Sequence, residues 1–424
     1  MKLSWDLPGL SLNLEPLWKN PSGPSWQAAY GGLMATSEQA LLEKFRSGKV
    51  GFYDWPKDSP LEEIERMAIV AKKLRKEFQG ALCIGIGGSF LGPAATLDAL
   101  RAPEEQEAFP IHWLSNADSS SIRKAKHFSK GRKIATVVLS KSGGTTETLS
   151  GFFHLSSQLK EKGFVVVTDP KSGELRRLAK KYAWENFEVP ANIGGRFSVL
   201  TAVGLFPSFL GGLPAEELLE GAREMRSSLE RFAPAENPAY LYALASFLWD
   251  TEGDCKIQYL MPYATNLKPI ADWYVQLWAE SLGKEKRGFT PVAALGTSDQ
   301  HSVLQLLKEG PRDKVVGFIE LDEKEAPTIG EPSFAADPSF KFLYSHTFTE
   351  IAVKASRATE QSLRNSEVPT YRFRFPALTA KTLGAFFFFQ EVACAFAGEL
   401  YGIHAFDQPG VEESKKLLEA SLKA

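Results

Sequence analysis

Nine residues, Ser140-Lys141-Ser142-Gly143-Gly144-Thr145-Thr146-Glu147-Thr148, carry five side-chain hydroxyls and two glycines. Each hydroxyl can donate and accept a hydrogen bond. Glycine lets the chain turn sharply and bring its N–H groups close to a ligand. Ahead of this stretch, Ile134–Leu139 is apolar and β-branched and reads as a buried strand. After it, Leu149, Phe152, Phe153 and Leu155 mark the start of an amphipathic helix. A strand end, a hydroxyl-rich turn and a helix N-terminus suit an anion, most often a phosphate. An ordinary capped turn uses the same residue types, but one cap has no use for five hydroxyls.

Five other places could do chemistry. The run Gly85-Ile86-Gly87-Gly88-Ser89-Phe90-Leu91-Gly92-Pro93 follows an apolar strand candidate, Ala81–Ile86. It approaches a dinucleotide fingerprint, but Phe90 stands where the third glycine belongs, and no Gly-Lys-Ser/Thr follows to make a P-loop. Gly88 and Ser89 suit a polar ligand, and equally a tight turn that binds nothing. Arg196, in Gly194-Gly195-Arg196-Phe197-Ser198, sits just before an apolar helix. A guanidinium there can stabilise an oxyanion; a surface ion pair is its plainer use. Gln276 and Glu280 are four residues apart and share one face of a helix, with Trp273 and Leu277 on the apolar face. A carboxylate beside aromatic rings can be tuned as a general base, although exposed helix glutamates are commoner. His301 is one of six histidines and opens a helix; it suits a proton shuttle or a helix surface. Gln408 and Lys415 are two turns apart and point the same way if the helix after Pro409 starts regularly. Terminal lysines are usually solvated.

These residues must be held by alternating strands and helices. Strand candidates at 81–86, 112–114, 134–139, 164–168 and 186–189 alternate with helices at 119–128, 146–161 and 172–182. Alternation predicts a parallel sheet covered on both faces, with ligands beyond the carboxyl ends of the strands. Both glycine turns fall at such ends. The second half repeats the logic, with strands near 255–261, 314–321 and 371–375, and an irregular insertion over 323–348. The predicted division is 1–210, an N-terminal arm of irregular or helical character plus a first α/β domain, and 211–424, a second α/β domain ending in a helix.

Composition narrows the classes further. The 424 residues carry a net charge of −2, so no field favours nucleic acid or an acidic membrane. Cys83, Cys255 and Cys394 are far apart and odd in number, which suits buried thiols in a reducing cytosol. The N-terminal residues show no signal-peptide core. Leu383–Tyr401 is the most apolar stretch, but Gln390, Glu391 and Glu399 interrupt it, so a buried helix is expected rather than a membrane span.

Taken in order, Gly85–Pro93, Ser140–Thr148, Gly194–Ser198, Gln276–Lys284, Gly296–His301 and Asp407–Lys415 resemble the glucose-6-phosphate isomerase family. The Gly-Gly-Arg-Phe-Ser and Phe-Asp-Gln-Pro-Gly-Val-Glu-Glu-Ser-Lys segments are the most specific. The resemblance implies two sugar-isomerase (SIS-type) three-layer α/β/α domains with mainly parallel sheets. It implies that Ser140, Lys141, Ser142 and Thr145 hold the substrate phosphate, and that Gly88 and Ser89 contact the sugar. Gln276 and Gln408 would touch sugar or phosphate. Glu280 would move a proton between C2 and C1 through a cis-enediol, Arg196 would stabilise the enediolate, and His301 with Lys415 would open the ring. His301 would come from the neighbouring subunit of a homodimer. No metal or organic cofactor is implied, and the location is cytoplasmic. Phe90, the Ser142-Gly143-Gly144 run and Leu282 depart from common family residues beside the sugar and phosphate contacts. They leave open whether mannose 6-phosphate is also a substrate. A non-catalytic sugar-phosphate sensor would not need Glu280, Arg196, His301 and Lys415. A dehydrogenase is excluded at Phe90.

Overall fold

The computed structural model of the protein describes residues 2–20, 30–159, 163–323, 325–334 and 336–424. In chain order its strands are β1 (Ser4–Leu7), β2 (Leu10–Asn13), β3 (Ala81–Ile84), β4 (Ile111–Leu114), β5 (Ala135–Ser140), β6 (Phe164–Thr168), β7 (Glu185–Glu188), β8 (Ile257–Pro262), β9 (Thr290–Ala293), β10 (Lys314–Leu321) and β11 (Thr370–Phe375). One sheet runs β4-β3-β5-β6-β7, and every neighbouring pair is parallel. All residues of β3, β5 and β6 are buried, as expected where helices cover both faces of a parallel sheet. The register places Ile84 of β3 opposite Val138 of β5, so the two glycine turns leave the sheet side by side.

The second sheet runs β1-β2-β11-β10-β8-β9. Its β9-β8-β10-β11 portion is parallel, and β2 joins β11 antiparallel. Here the structure corrects the sequence reading. The N-terminal arm is not merely helical or irregular and does not stay with the first half. Its first residues form a hairpin that extends the second sheet. The reason is a period-two burial pattern: Trp5, Leu7, Leu10 and Leu12 face inward while Ser4 and Asp6 face out. Beyond the hairpin, a helix over Tyr30–Arg46 does fit the expected arm.

Elsewhere boundaries move little. The helix expected over Thr146–Glu161 spans Thr146–Ser156, and residues 160–162 lie outside those described. The Ala380–Tyr401 helix is long and apolar enough to cross a membrane by length and composition, but 94% of its most apolar window is buried inside the fold. Phe386, Phe387, Phe388 and Phe389 cover a full turn, which only a helix surrounded by protein can use. One continuous core links both sheets through this helix and the Lys268–Leu282 helix. Within it, the Tyr242 hydroxyl lies 3.0 Å from that of Tyr371 and 3.3 Å from that of Tyr274, so these buried phenols satisfy one another.

Candidate active site

The first glycine turn is a short 3₁₀ segment, Gly87–Ser89, at the end of β3. Two of its glycines are needed, one for its backbone conformation and one for what packs against it. Gly87 has φ +56°, and a Cβ there would sit 3.1 Å from Gln276 Nε2. A Cβ on Gly88 would lie 2.3 Å from the Gly195 carbonyl oxygen. The turn therefore touches two other candidate segments, the Gly194–Ser198 loop and the Lys268–Leu282 helix. Phe90 packs edge-on against Trp113, with centroids 5.4 Å apart.

Arg196 is 2% exposed, so its charge must be answered from within the protein. Nε donates to Ser281 Oγ at 2.7 Å, Nη1 to Gln408 Oε1 at 3.0 Å, and Nη2 to the carbonyl oxygens of Ala405 at 2.5 Å and Asp407 at 3.0 Å. Nη1 also lies 3.5 Å from Glu280 Oε1. Burial holds the guanidinium below its ordinary proton affinity, while Glu280 works the other way. Glu280 keeps 27% of its side chain exposed, and its Oε2 accepts from Gln276 Nε2 at 3.1 Å. Gln276 Oε1 is buried without a protein partner among the described residues. The result is a carboxylate facing a fixed cation, partly open, beside a glycine turn.

The hydroxyl turn sits at the end of the adjacent strand. Ser140 Oγ lies 2.8 Å from Thr145 Oγ1 and 3.5 Å from Ser142 Oγ, and Gly144 N donates to Ser142 Oγ at 3.3 Å. Gly143 takes φ +63°, which closes the turn. Three hydroxyls and a helix N-terminus at Thr146 thus converge. Lys141 departs from this group: Nζ donates to the Ala191 carbonyl oxygen at 3.0 Å, tying the turn to the loop that carries Arg196. Burial and the charge of Arg196 hold the Lys141 ammonium below its usual proton affinity, against the pull of Asp169.

Two candidates are not brought to this group within one chain. His301 is exposed on the Gly296–Glu309 helix. Lys415 is exposed on the Glu412–Lys423 helix and pairs with Glu412 at 2.7 Å. The regular first turn that would align Gln408 with Lys415 is absent. Gln408 has φ −151° and precedes a 3₁₀ turn, Pro409–Val411, so the regular register starts too late to align them.

Sequence reasoning assigned no role to Ser281, Lys284 or Asp407. Lys284 Nζ donates to the carbonyl oxygens of His404 and Asp407 and to Asp407 Oδ1 at 2.8 Å, pinning the 404–408 segment over Arg196. The available signal was position: Ser281 and Lys284 follow Glu280 by one and four residues, so they leave the same helix end. Among the described residues no group of three or more His, Cys, Asp or Glu side chains is arranged for a metal ion.

Comparison with known proteins adds a lineage to this geometry. The chain is 39% identical over 405 residues to a glucose-6-phosphate isomerase of Carboxydothermus hydrogenoformans, covering 90% of this chain and 87% of that protein. Its fold matches a Thermus thermophilus protein described only as hypothetical, with TM-score 0.88 and 30% identity, over 98% of this chain and 100% of the other. It also matches the fold of a glucose-6-phosphate isomerase from Chlamydia trachomatis, with TM-score 0.78 and 22% identity, over 99% and 90% of the two chains. The sequence pattern of the phosphoglucose isomerases matches residues 70–423, a span that takes in every segment converging on Arg196, and the chain belongs to that family.

Proposed function

We propose that the chain is an aldose–ketose isomerase that interconverts glucose 6-phosphate and fructose 6-phosphate. The observation that carries this reading is the 3.5 Å approach of Arg196 Nη1 to the half-open Glu280 carboxylate, next to a hydroxyl turn suited to a phosphate. Glu280 removes the proton from C2 of the open-chain aldose. The electron pair forms the C1–C2 double bond of a cis-enediol, and the C1 oxygen takes the developing charge. O1 takes up a proton and O2 gives up its own, so that a hydroxyl proton passes from O2 to O1. Returning the carbon-bound proton from Glu280 to C1 gives the ketose with its C2 carbonyl, with no net oxidation. Arg196 stabilises the enediolate; its donors are already locked by protein acceptors, so little reorganisation is needed during the reaction. Ser140, Ser142 and Thr145 grip the distant phosphate, and that binding energy can be used at C1 and C2. Gly88, Ser89, Gln276 and Gln408 line the sugar. Lys141 acts by bridging the phosphate turn to the Arg196 loop.

His301 and Lys415 are assigned to ring opening by the family resemblance. The exposure of His301 supports its use by a neighbouring subunit, hence a homodimer. Exposed Phe334, Phe340, Phe342 and Phe348, on the segment before and into the Phe348–Arg364 helix, support an assembly that covers them. Three buried, unpaired cysteines support a reducing cytoplasmic location. The test is a coupled assay for glucose 6-phosphate formed from fructose 6-phosphate, with and without chelator, with mannose 6-phosphate as a second substrate. Turnover in the presence of chelator is expected. No turnover on either sugar phosphate would remove the reading.

A further inference from the structure

The longest one-signed charge run in the first half plays no part in the site described above. Residues 119–133 hold Arg123, Lys124, Lys126, Lys130, Arg132 and Lys133 and no carboxylate, in a chain whose total charge is −2. No ion pair engages any of the six among the described residues. Asp118, the nearest acid ahead of the run, is occupied as the N-cap of the Ser119–Ser129 helix, accepting from the Ser120 and Ser121 N–H groups. Helix stabilisation accounts for Lys126 and His127, which lie in the last turn where the dipole favours cations. It does not account for Arg123 or Lys124.

These cations border a concave surface. A depression of about 560 Å³ is lined by His112, Arg123, Lys124, His127, Phe128 and Arg132. Its floor is preorganised: His112 stacks on Phe128 with centroids 5.2 Å apart and planes at 24°. The Arg132 guanidinium lies 5.3 Å over the same ring and donates to the Phe128 carbonyl oxygen at 3.2 Å. Burial, and secondarily the nearby Lys124 charge, hold His112 below its ordinary proton affinity. Phe128 touches the position a Cβ on Gly80 would occupy, just before β3, whereas the active-site turn follows β3. The depression and the active site thus lie at opposite ends of one strand.

We propose that this depression is a second anion site that takes a small oligophosphate, a ligand bearing several linked phosphoryl groups. Three cations on one shallow, open wall match several charges close together. The proposal does not rest on the isomerase reading.

The test is isothermal titration of the full chain with sodium tripolyphosphate, with orthophosphate and a short oligothymidylate as comparison probes. Wild type is expected to bind tripolyphosphate, and orthophosphate far more weakly. Arg123→Ala/Arg132→Ala is expected to weaken tripolyphosphate binding about tenfold or more. Lys124→Glu, a separate surface change, should do the same, and both variants should keep wild-type isomerase activity. Three results would overturn the proposal. One is no binding by wild type. Another is binding that survives these variants but is lost in Ser140→Ala/Ser142→Ala. The last is oligothymidylate binding that outcompetes tripolyphosphate and strengthens with strand length, which marks a polynucleotide surface instead.

Discussion

Arg196 Nη1 and Glu280 Oε1 stand 3.5 Å apart, although 84 residues separate them in the chain and they lie on different elements. The guanidinium is fixed by four other acceptors, so it orients the carboxylate rather than following it. If Glu280 is the base, Glu280→Gln keeps the shape and the Arg196 contact but removes the proton acceptor. Turnover should fall by about 10²–10⁴, with substrate binding changed only a few-fold. Loss of solvent exchange at the C2 hydrogen is the direct readout; near-wild-type exchange would take Glu280 out of the role.

Arg196→Lys tests the cation itself. One ammonium cannot reach Ser281, Gln408, Ala405 and Asp407 together, so buried acceptors are left unpaired. Turnover should drop on the order of 10²–10³, and the thermal midpoint should fall with it. A variant with normal turnover would mean that the enediolate charge is stabilised elsewhere.

The hydroxyl turn is tested by Ser142→Ala. Ser142 accepts from the Gly144 N–H and neighbours both Ser140 and Thr145. Its loss should raise KM more than it lowers kcat, because the phosphate is held far from the reacting carbons. An unchanged KM with a reduced kcat would argue against phosphate binding there.

A shared site in a homodimer predicts complementation. Glu280→Gln and His301→Ala variants should each be nearly inactive alone. Mixed after subunit exchange, they form heterodimers with one intact site, and activity should reappear. Persistent inactivity after verified exchange would place His301 outside its partner's site.

Glu391 offers a pH test. It is 1% exposed, and neither carboxyl oxygen has a hydrogen-bond partner among the described residues. Burial pushes its carboxyl well above the usual carboxylate range. The folded chain therefore holds a proton that the unfolded chain releases above the ordinary carboxylate value. In that window the folded state binds more protons, so stability declines as pH rises. Glu391→Gln removes the titration and should gain stability relative to wild type at pH 8 compared with pH 5. Parallel unfolding curves at the two pH values would show that Glu391 is not protonated in the fold.

Local patterns made parts of this molecule readable from sequence. The apolar run 134–139 and the hydroxyls after it could only be a buried strand entering a polar turn, and β5 and its turn lie there. Gln276 and Glu280 share a face because helical spacing leaves no other choice. The partners of Arg196 were hidden for the opposite reason. Two are backbone carbonyls at Ala405 and Asp407, more than two hundred residues away, and carbonyls carry no sequence signature. The Gln408–Lys415 alignment depended on a regular first turn, and that condition fails locally: Pro409 opens a 3₁₀ turn instead. The β1–β2 hairpin was not anticipated, because the alternation at Trp5, Leu7, Leu10 and Leu12 spans two strands of only four residues each and the strand that receives them lies far along the chain.

That hairpin sets an order on biosynthesis. Its docking edge, β11, ends at Phe375, so the earliest-made strands emerge from the ribosome long before the surface that receives them exists. At ordinary elongation rates the delay is on the order of tens of seconds. For that interval the apolar side of the two-stranded tab lacks its native neighbour, so the second sheet closes only after nearly the whole chain has been made.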